Sequence, residues 1–175
     1  MSARDFNKVA PALWGSARFL ALEVDARLQF IYYATNPHVN SAGVYRLTDG
    51  YAVDDLKCDR SRYIENRAAM LAAGMIDYDE QHSFLMVERW FKHNRPMNDS
   101  HALGTLRFIE AIESERLREK VMPLFLEADA ARLAREAKKK ADREARKIAE
   151  RLEQPSPRSN SGILSTRLMS MGGRG

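Results

Sequence analysis

Two adjoining stretches decide how this chain folds: Gly43-Val-Tyr-Arg-Leu-Thr-Asp-Gly-Tyr-Ala-Val-Asp-Asp-Leu56 and, after a short turn, Arg62-Tyr-Ile-Glu-Asn-Arg-Ala-Ala-Met-Leu-Ala-Ala-Gly-Met-Ile76. Val44–Leu47 alternates as a short strand does, and Asp49-Gly50 marks the turn that follows. Asp49–Lys57 reads as a short helix with Ala52, Val53 and Leu56 inward. Asp59 or Ser61 then caps a second helix running to about Ala73, with Cys58 in the tight turn between the two. On that second helix Ile64, Ala68 and Leu71 share a face taken as the inward one, and Gly74 suits the left-handed position that closes a helix. Met75–Asp79 and Phe84–Glu88 read as two strands joined by Glu80-Gln81-His82-Ser83, a β hairpin.

Upstream, Glu23–Thr35 has the spacing of a helix whose inward stripe is Val24, Leu28, Ile31, Tyr32 and Thr35, ended by Asn36-Pro37 because proline disfavours helical geometry in the residue before it. Phe6–Val9 is expected to be extended and Ser16–Leu22 a short helix, with Pro11 and Gly15 as punctuation and His38–Gly43 as a polar loop. Downstream, Phe91–Ser100 reads as a polar loop containing Pro96. Asp99 or Ser100 then starts a helix lined by Leu106, Ile109 and Ile112. From Ala128 to Leu152 the composition turns to alanine and charge, with oppositely charged pairs such as Arg132/Glu136 and Lys138/Asp142 that stabilise an exposed helix by ~0.2–0.5 kcal/mol each. Gln154–Gly175 is rich in Ser, Gly and Arg and is expected to be disordered, though Gly162–Met169 carries apolar residues able to fold against a partner. The expected organisation is residues 1–93 as the principal domain, 94–127 as a loop and packing helix, 128–153 as an exposed charged helix and 154–175 as a tail. The fold class is mainly α with a small β hairpin.

The chain has 175 residues, 45% of them hydrophobic, which suits one modest core with extensions rather than two large domains. It carries 28 Lys and Arg against 24 Asp and Glu. The front of the chain is not basic, since residues 1–93 hold 11 cations against 12 carboxylates. Ala130–Lys147 holds eight cations against three carboxylates, a run that either attracts a phosphate backbone or dresses a solvated helix. No stretch approaches the ~20 apolar residues that cross a bilayer, and Met1–Asp5 lacks the pattern of a signal peptide, so a cytoplasmic protein without membrane partners is expected. The single cysteine, Cys58, forms no internal disulfide and reads as a small apolar residue.

The two quoted stretches resemble a winged helix-turn-helix, in which the second helix enters a major groove ~12 Å wide. Arg60, Arg62, Asn66 and Arg67 are then the candidate contacts to phosphates and to guanine and adenine edges, while Tyr63 either packs or touches the backbone. The hairpin acids Asp77, Asp79 and Glu80 would repel phosphates, so the wing is expected to stay back. Behind it, Lys92, His93, Asn94 and Arg95 form a polar cluster anchored by Trp90 and Phe91. Lys92, His93 and Arg95 are further candidate DNA contacts, unless His93 and Asn94 serve the loop's own backbone. Over residues 5–118 the chain also resembles phage and prophage replication-initiation proteins of the replisome-organiser, replication protein O-like and DnaD-like group. That likeness rests on Phe6–Trp14, on Asp25–Leu47 and above all on Glu88-Arg-Trp-Phe-Lys-His-Asn-Arg-Pro-Met-Asn98. It implies binding of origin DNA, here double-stranded, and recruitment of the host replicative helicase or its loader; separately, several copies on repeated sites, a homo-oligomer aided by the basic helix, are expected to raise occupancy. The second globular domain and helicase-contacting motif of the DnaD kind are not found after residue 118.

No enzyme is expected. The histidines at 38, 82, 93 and 101 follow no metal-ligand repeat, and neither a phosphate-binding glycine loop nor a serine elbow occurs, so no catalytic residue, metal or cofactor is assigned. Asp54 and Asp55 are adjacent and diverge on a helix. A transcriptional regulator with the same domain, and a protein-interaction adaptor that never touches DNA, remain the alternative readings.

Overall fold

The computed structural model describes residues 7–153. The expectation for Gln154–Gly175, like that for Phe6, lies outside these residues. The chain divides into two compact units at Ala137 and Lys138. After a 3-10 turn at Pro11–Gly15 come α1 (Ala17–Leu20), α2 (Val24–Thr35), β1 (Val44–Arg46), α3 (Asp49–Leu56), α4 (Arg60–Ala72), β2 (Ile76–Asp79), β3 (Phe84–Val87), α5 (Trp90–His93), α6 (Asp99–Glu110) and α7 (Glu115–Glu153). The described chain is mainly helical with one small sheet.

That sheet has three strands in the order β1-β3-β2, all antiparallel. The expected hairpin is present, with Ile76 opposite Val87 and Asp79 opposite Phe84, and β1 joins its far side with Val44 opposite Met86. β3 is central and buried along its whole length, as Phe84-Leu85-Met86-Val87 requires. Gly43, which leads into β1, has φ +67°, and a Cβ there would lie 2.2 Å from Cγ of Trp90, so the glycine serves both the backbone and the ring packed on it. Trp90 donates from Nε1 to the carbonyl of Ser41 at 2.9 Å.

In α2 the buried residues are Ala26, Gln29, Phe30, Tyr33 and Ala34, while Val24 and Leu28 are 71% and 59% exposed. The expected Val24–Leu28 stripe is therefore not the inward one. A second stripe runs through Ala26, Phe30 and Tyr33, and two aromatic rings bury more area than two aliphatic side chains. Gln29 follows them inside because its amide is satisfied, donating to Tyr33 Oη at 2.8 Å and to the Tyr63 carbonyl at 3.1 Å.

The C-terminal boundaries also move. Trp90–His93 is a helical turn rather than loop, with Trp90 and Phe91 anchored in the core as expected. The long helix begins at Glu115, not near residue 128, and contains Pro123. Leu117, Val121 and Phe125 recur every fourth residue and are buried on both sides of that proline, whose own side chain is exposed. Core packing thus holds the helix through a residue that local propensity disfavours.

Candidate nucleic-acid interface

Helix α4 starts where Asp59 accepts hydrogen bonds from the backbone N–H groups of Ser61 and Arg62. The side-chain hydroxyl of Ser61 is the largest of the contacts that hold the Asp59 carboxyl below its ordinary range, with the two N–H groups adding to it. The helix ends at Ala72, with Ala73 as its C-cap, followed by Gly74 at φ +60°. Arg18 donates to the carbonyl of Gly74 at 2.8 Å and so satisfies an acceptor just past the helix end.

The phase of α4 differs from the sequence expectation. Tyr63, Asn66, Arg67 and Met70 face inward, and Ile64, Ala68 and Leu71 face outward. Tyr63 Oη accepts from Tyr33 Oη at 2.9 Å inside the core. The Arg67 guanidinium pairs with Asp49 at the start of α3 and lies 4.1 Å from the Tyr78 ring centroid and 5.5 Å from that of Tyr63. It thereby ties α4 to α3 and to β2 of the hairpin. Its side chain is 8% exposed, so neither Arg67 nor the buried Tyr63 and Asn66 is available to a duplex. The physical reason is pairing: the Tyr63 hydroxyl meets that of Tyr33 inside the core, and an inward arginine is tolerated once a carboxylate and two rings surround it.

What α4 leaves outside is Arg60, Ser61, Arg62, Ile64 and Glu65 on its first turns, then Ala68, Ala69, Leu71 and Ala72. The Arg60 side chain is 73% exposed and lies 3.5 Å from Asp49. That of Arg62 is 45% exposed and lies 3.4 Å from both Asp25 and Glu65. Lys57, in the turn before α4, pairs with Asp54 at 2.7 Å. Exposed pairs of this kind are worth about 0–1 kcal/mol each, so a phosphate group displaces them at little cost.

The hairpin acids do not point where repulsion was expected. Asp77 accepts from Arg116 at 2.9 Å and from Lys120 at 2.6 Å, both on the first turns of α7, and Lys120 also holds Glu88. Partial burial raises the Asp77 carboxyl, but the two cations outweigh it and bring it below its usual range. The Ser114 hydroxyl donates to Asp79 and, with help from the backbone and ring of His82, lowers that carboxyl to about 2. Glu80 remains exposed at the tip.

Lys92, His93 and Arg95 are exposed, as contacts to a polyanion must be, but they lie elsewhere. Lys92 and His93 line a hollow of about 310 Å³ together with Met75, just past the end of α4, and with Arg18. Arg60 stands at the opposite end of that helix, roughly 18 Å away at 1.5 Å per residue. Arg95 lines a neighbouring hollow of about 360 Å³. Lys92 and Arg89 border both hollows, and Arg89 holds a left-handed backbone at φ 58°. The structure thus resolves the candidate residues into two exposed groups, one at each end of α4, and a buried third. Arg89 sits within the quoted Glu88–Asn98 motif and was legible there. Lys8 and Arg18 reach the first hollow only through the path of the N-terminal segment, and nothing in their local sequence signals it.

In the basic run Ala130–Lys147, Arg132 is also withdrawn from any surface role. It is 5% exposed and contacts Asp99 at 2.8 Å, Asp129 at 2.7 Å and Glu136 at 3.1 Å. Among the described residues no three His, Cys, Asp or Glu side chains converge as a metal site, and no helix is long and apolar enough to cross a membrane. In comparisons with protein families, curated proteins and solved structures, the chain matches none.

Proposed function

We propose that the protein binds double-stranded DNA as a winged helix-turn-helix, with α4 as the helix presented to the major groove. The element order α2-β1-α3-α4-β2-β3 and the sheet order β1-β3-β2 support that reading. The observation that carries it is the outer side of the first turns of α4, where Arg60 and Arg62 stand exposed in weak, exchangeable ion pairs while the opposite side is locked into the core. The contacts assigned to a duplex are Arg60 and Arg62, aided by Lys57. The resemblance carried by Glu88–Asn98 extends the proposal to origin repeats of a phage or prophage, occupied by several copies, with recruitment of the host helicase or its loader as the consequence. No chemical step is assigned.

Binding of a labelled duplex measured across salt concentrations tests this. Affinity is expected at ~50 mM salt and to fall steeply as salt rises. Arg60→Ala combined with Arg62→Ala should weaken binding at least tenfold and reduce the log–log salt slope by about two. Unchanged binding by the double variant removes α4 from the interface. Mapping of bound sites then separates iterated origin repeats from a single promoter operator.

One observation favours a second reading. Apart from Glu65, the outer face of α4 beyond Arg62 is apolar, with Ile64 and Leu71 41% and 39% exposed beside Ala68, Ala69 and Ala72. Such a surface suits a protein partner, and absence of duplex binding at ~50 mM salt would make the protein an adaptor.

A further inference from the structure

The hollow beside α5 combines an apolar floor with a cationic rim. Its floor comes from Leu13, Phe30, Ala34, Met75, Val87 and Trp90, side chains that belong to or pack on the core. Around it stand Lys8, Arg89, Lys92 and His93, all exposed, whose side chains make no hydrogen bond or ion pair among the described residues. Arg18 completes the rim while bonded to the Gly74 carbonyl. The one carboxylate among the described lining residues, Glu88, is held by Lys120 at 2.5 Å. Three cations, Lys8, Arg89 and Lys92, together with the His93 imidazole, thus border an apolar recess without a side-chain partner among the described residues.

We infer that this hollow docks an acidic segment of a partner protein that inserts an apolar side chain between the cations. Charge complementarity selects an anionic occupant, and the floor selects one with an apolar anchor. A volume of about 310 Å³ suits one or two such side chains. A single nucleic-acid strand matches the charge but not the floor, because Trp90 and Phe30 are 6% and 8% exposed and offer no open ring face on which a base could stack. The site stands apart from Arg60 and Arg62 and does not depend on the DNA reading of α4.

The test uses fluorescence anisotropy of the full chain with a labelled peptide, Asp-Glu-Asp-Leu-Phe-Glu-Asp-Glu, and with a control in which serines replace Leu and Phe. The acidic peptide with its anchor should bind at least tenfold more tightly than the control. Two variants probe the halves of the site: Arg89→Glu with Lys92→Glu reverses the rim, and Ala12→Trp plugs the recess from an exposed position on its edge. Each should weaken the anchored peptide at least tenfold with the thermal midpoint retained. Arg60→Ala with Arg62→Ala should leave peptide binding as it is, even if it abolishes duplex binding. Equal binding of the two peptides, or loss of peptide binding in the Arg60/Arg62 variant, overturns the inference. So does a single-stranded oligo-dT that outcompetes the peptide and is itself released by the Arg89/Lys92 reversal, since the site would then be one for nucleic acid.

Discussion

Arg62 and Arg67 lie little more than a turn apart on α4 and meet opposite environments. The Arg62 side chain is 45% exposed between two exposed carboxylates, and the Arg67 side chain is 8% exposed against Asp49 and two tyrosine rings. The same guanidinium is a surface contact in one place and a clamp in the other. Residue chemistry alone therefore does not identify a binding face; helix phase does, and phase is set by what the rest of the fold has to offer. Asp49 at the N-terminus of α3 and Tyr78 on β2 make an inward arginine tolerable, whereas nothing comparable encloses Arg62.

Breaking the inward side should have the largest effect. Arg67→Met leaves Asp49 with only the more distant Arg60 at 3.5 Å and is expected to destabilise the protein by about 3 kcal/mol, the lower end of the cost of stranding a buried charge. Urea denaturation measures it, and a loss below ~1 kcal/mol would place Arg67 among the surface cations after all.

A smaller effect separates the two kinds of hairpin acid. Asp79, tied to Ser114, is held at about 2, below its ordinary value of ~3.9. Its contribution to stability is therefore complete above about pH 4 and is lost as pH falls toward 2. Asp79→Asn should cost about 1–2 kcal/mol at neutral pH and flatten the acid limb of the stability curve, whereas Glu80→Gln at the exposed tip should alter neither. Urea midpoints at pH 7 and pH 3 compare them. An unchanged acid limb in Asp79→Asn would show that the contact to Ser114, just before α7, does not anchor the hairpin.

The smallest change in stability belongs to the outward side. Arg60→Ala with Arg62→Ala should shift the folding free energy by less than ~0.5 kcal/mol while weakening duplex binding tenfold or more. A large loss of stability would mean that these arginines hold the fold and would erase the contrast with Arg67.

Much of the fold is legible in local signals. Asp59 caps α4, Gly74 closes it in the left-handed region, Asn36-Pro37 ends α2, and Ala52 is fully buried on α3 as its small size suggests. These features depend on backbone geometry within a few residues, which sequence states directly. The candidate site was less legible. Arg60, Arg62, Lys92, His93 and Arg95 are exposed as expected, but Tyr63, Asn66 and Arg67 are not, because two stripes on α4 had comparable claims to the core. Ile64, Ala68 and Leu71 are the more apolar in composition. Tyr63 and Met70, with Arg67 neutralised by Asp49, proved the better match to α2 and the sheet. The same competition reversed α2, where Gln29 is buried because Tyr33 and Tyr63 receive its amide.

The amino-acid order alone determined where the helices and strands from α2 to β3 begin and end to within a few residues, and that a small hairpin follows two short helices, because caps, turns and periodicity act over one or two turns of chain. Only the tertiary structure decided which side of α2 and α4 is buried, that β1 completes a three-stranded sheet, that α7 continues through Pro123, and that cations from Lys8 to Lys92 gather at one hollow. Those outcomes depend on partners many residues distant, and a stripe, a charge or a proline acquires its energy only when the surface that meets it is in place.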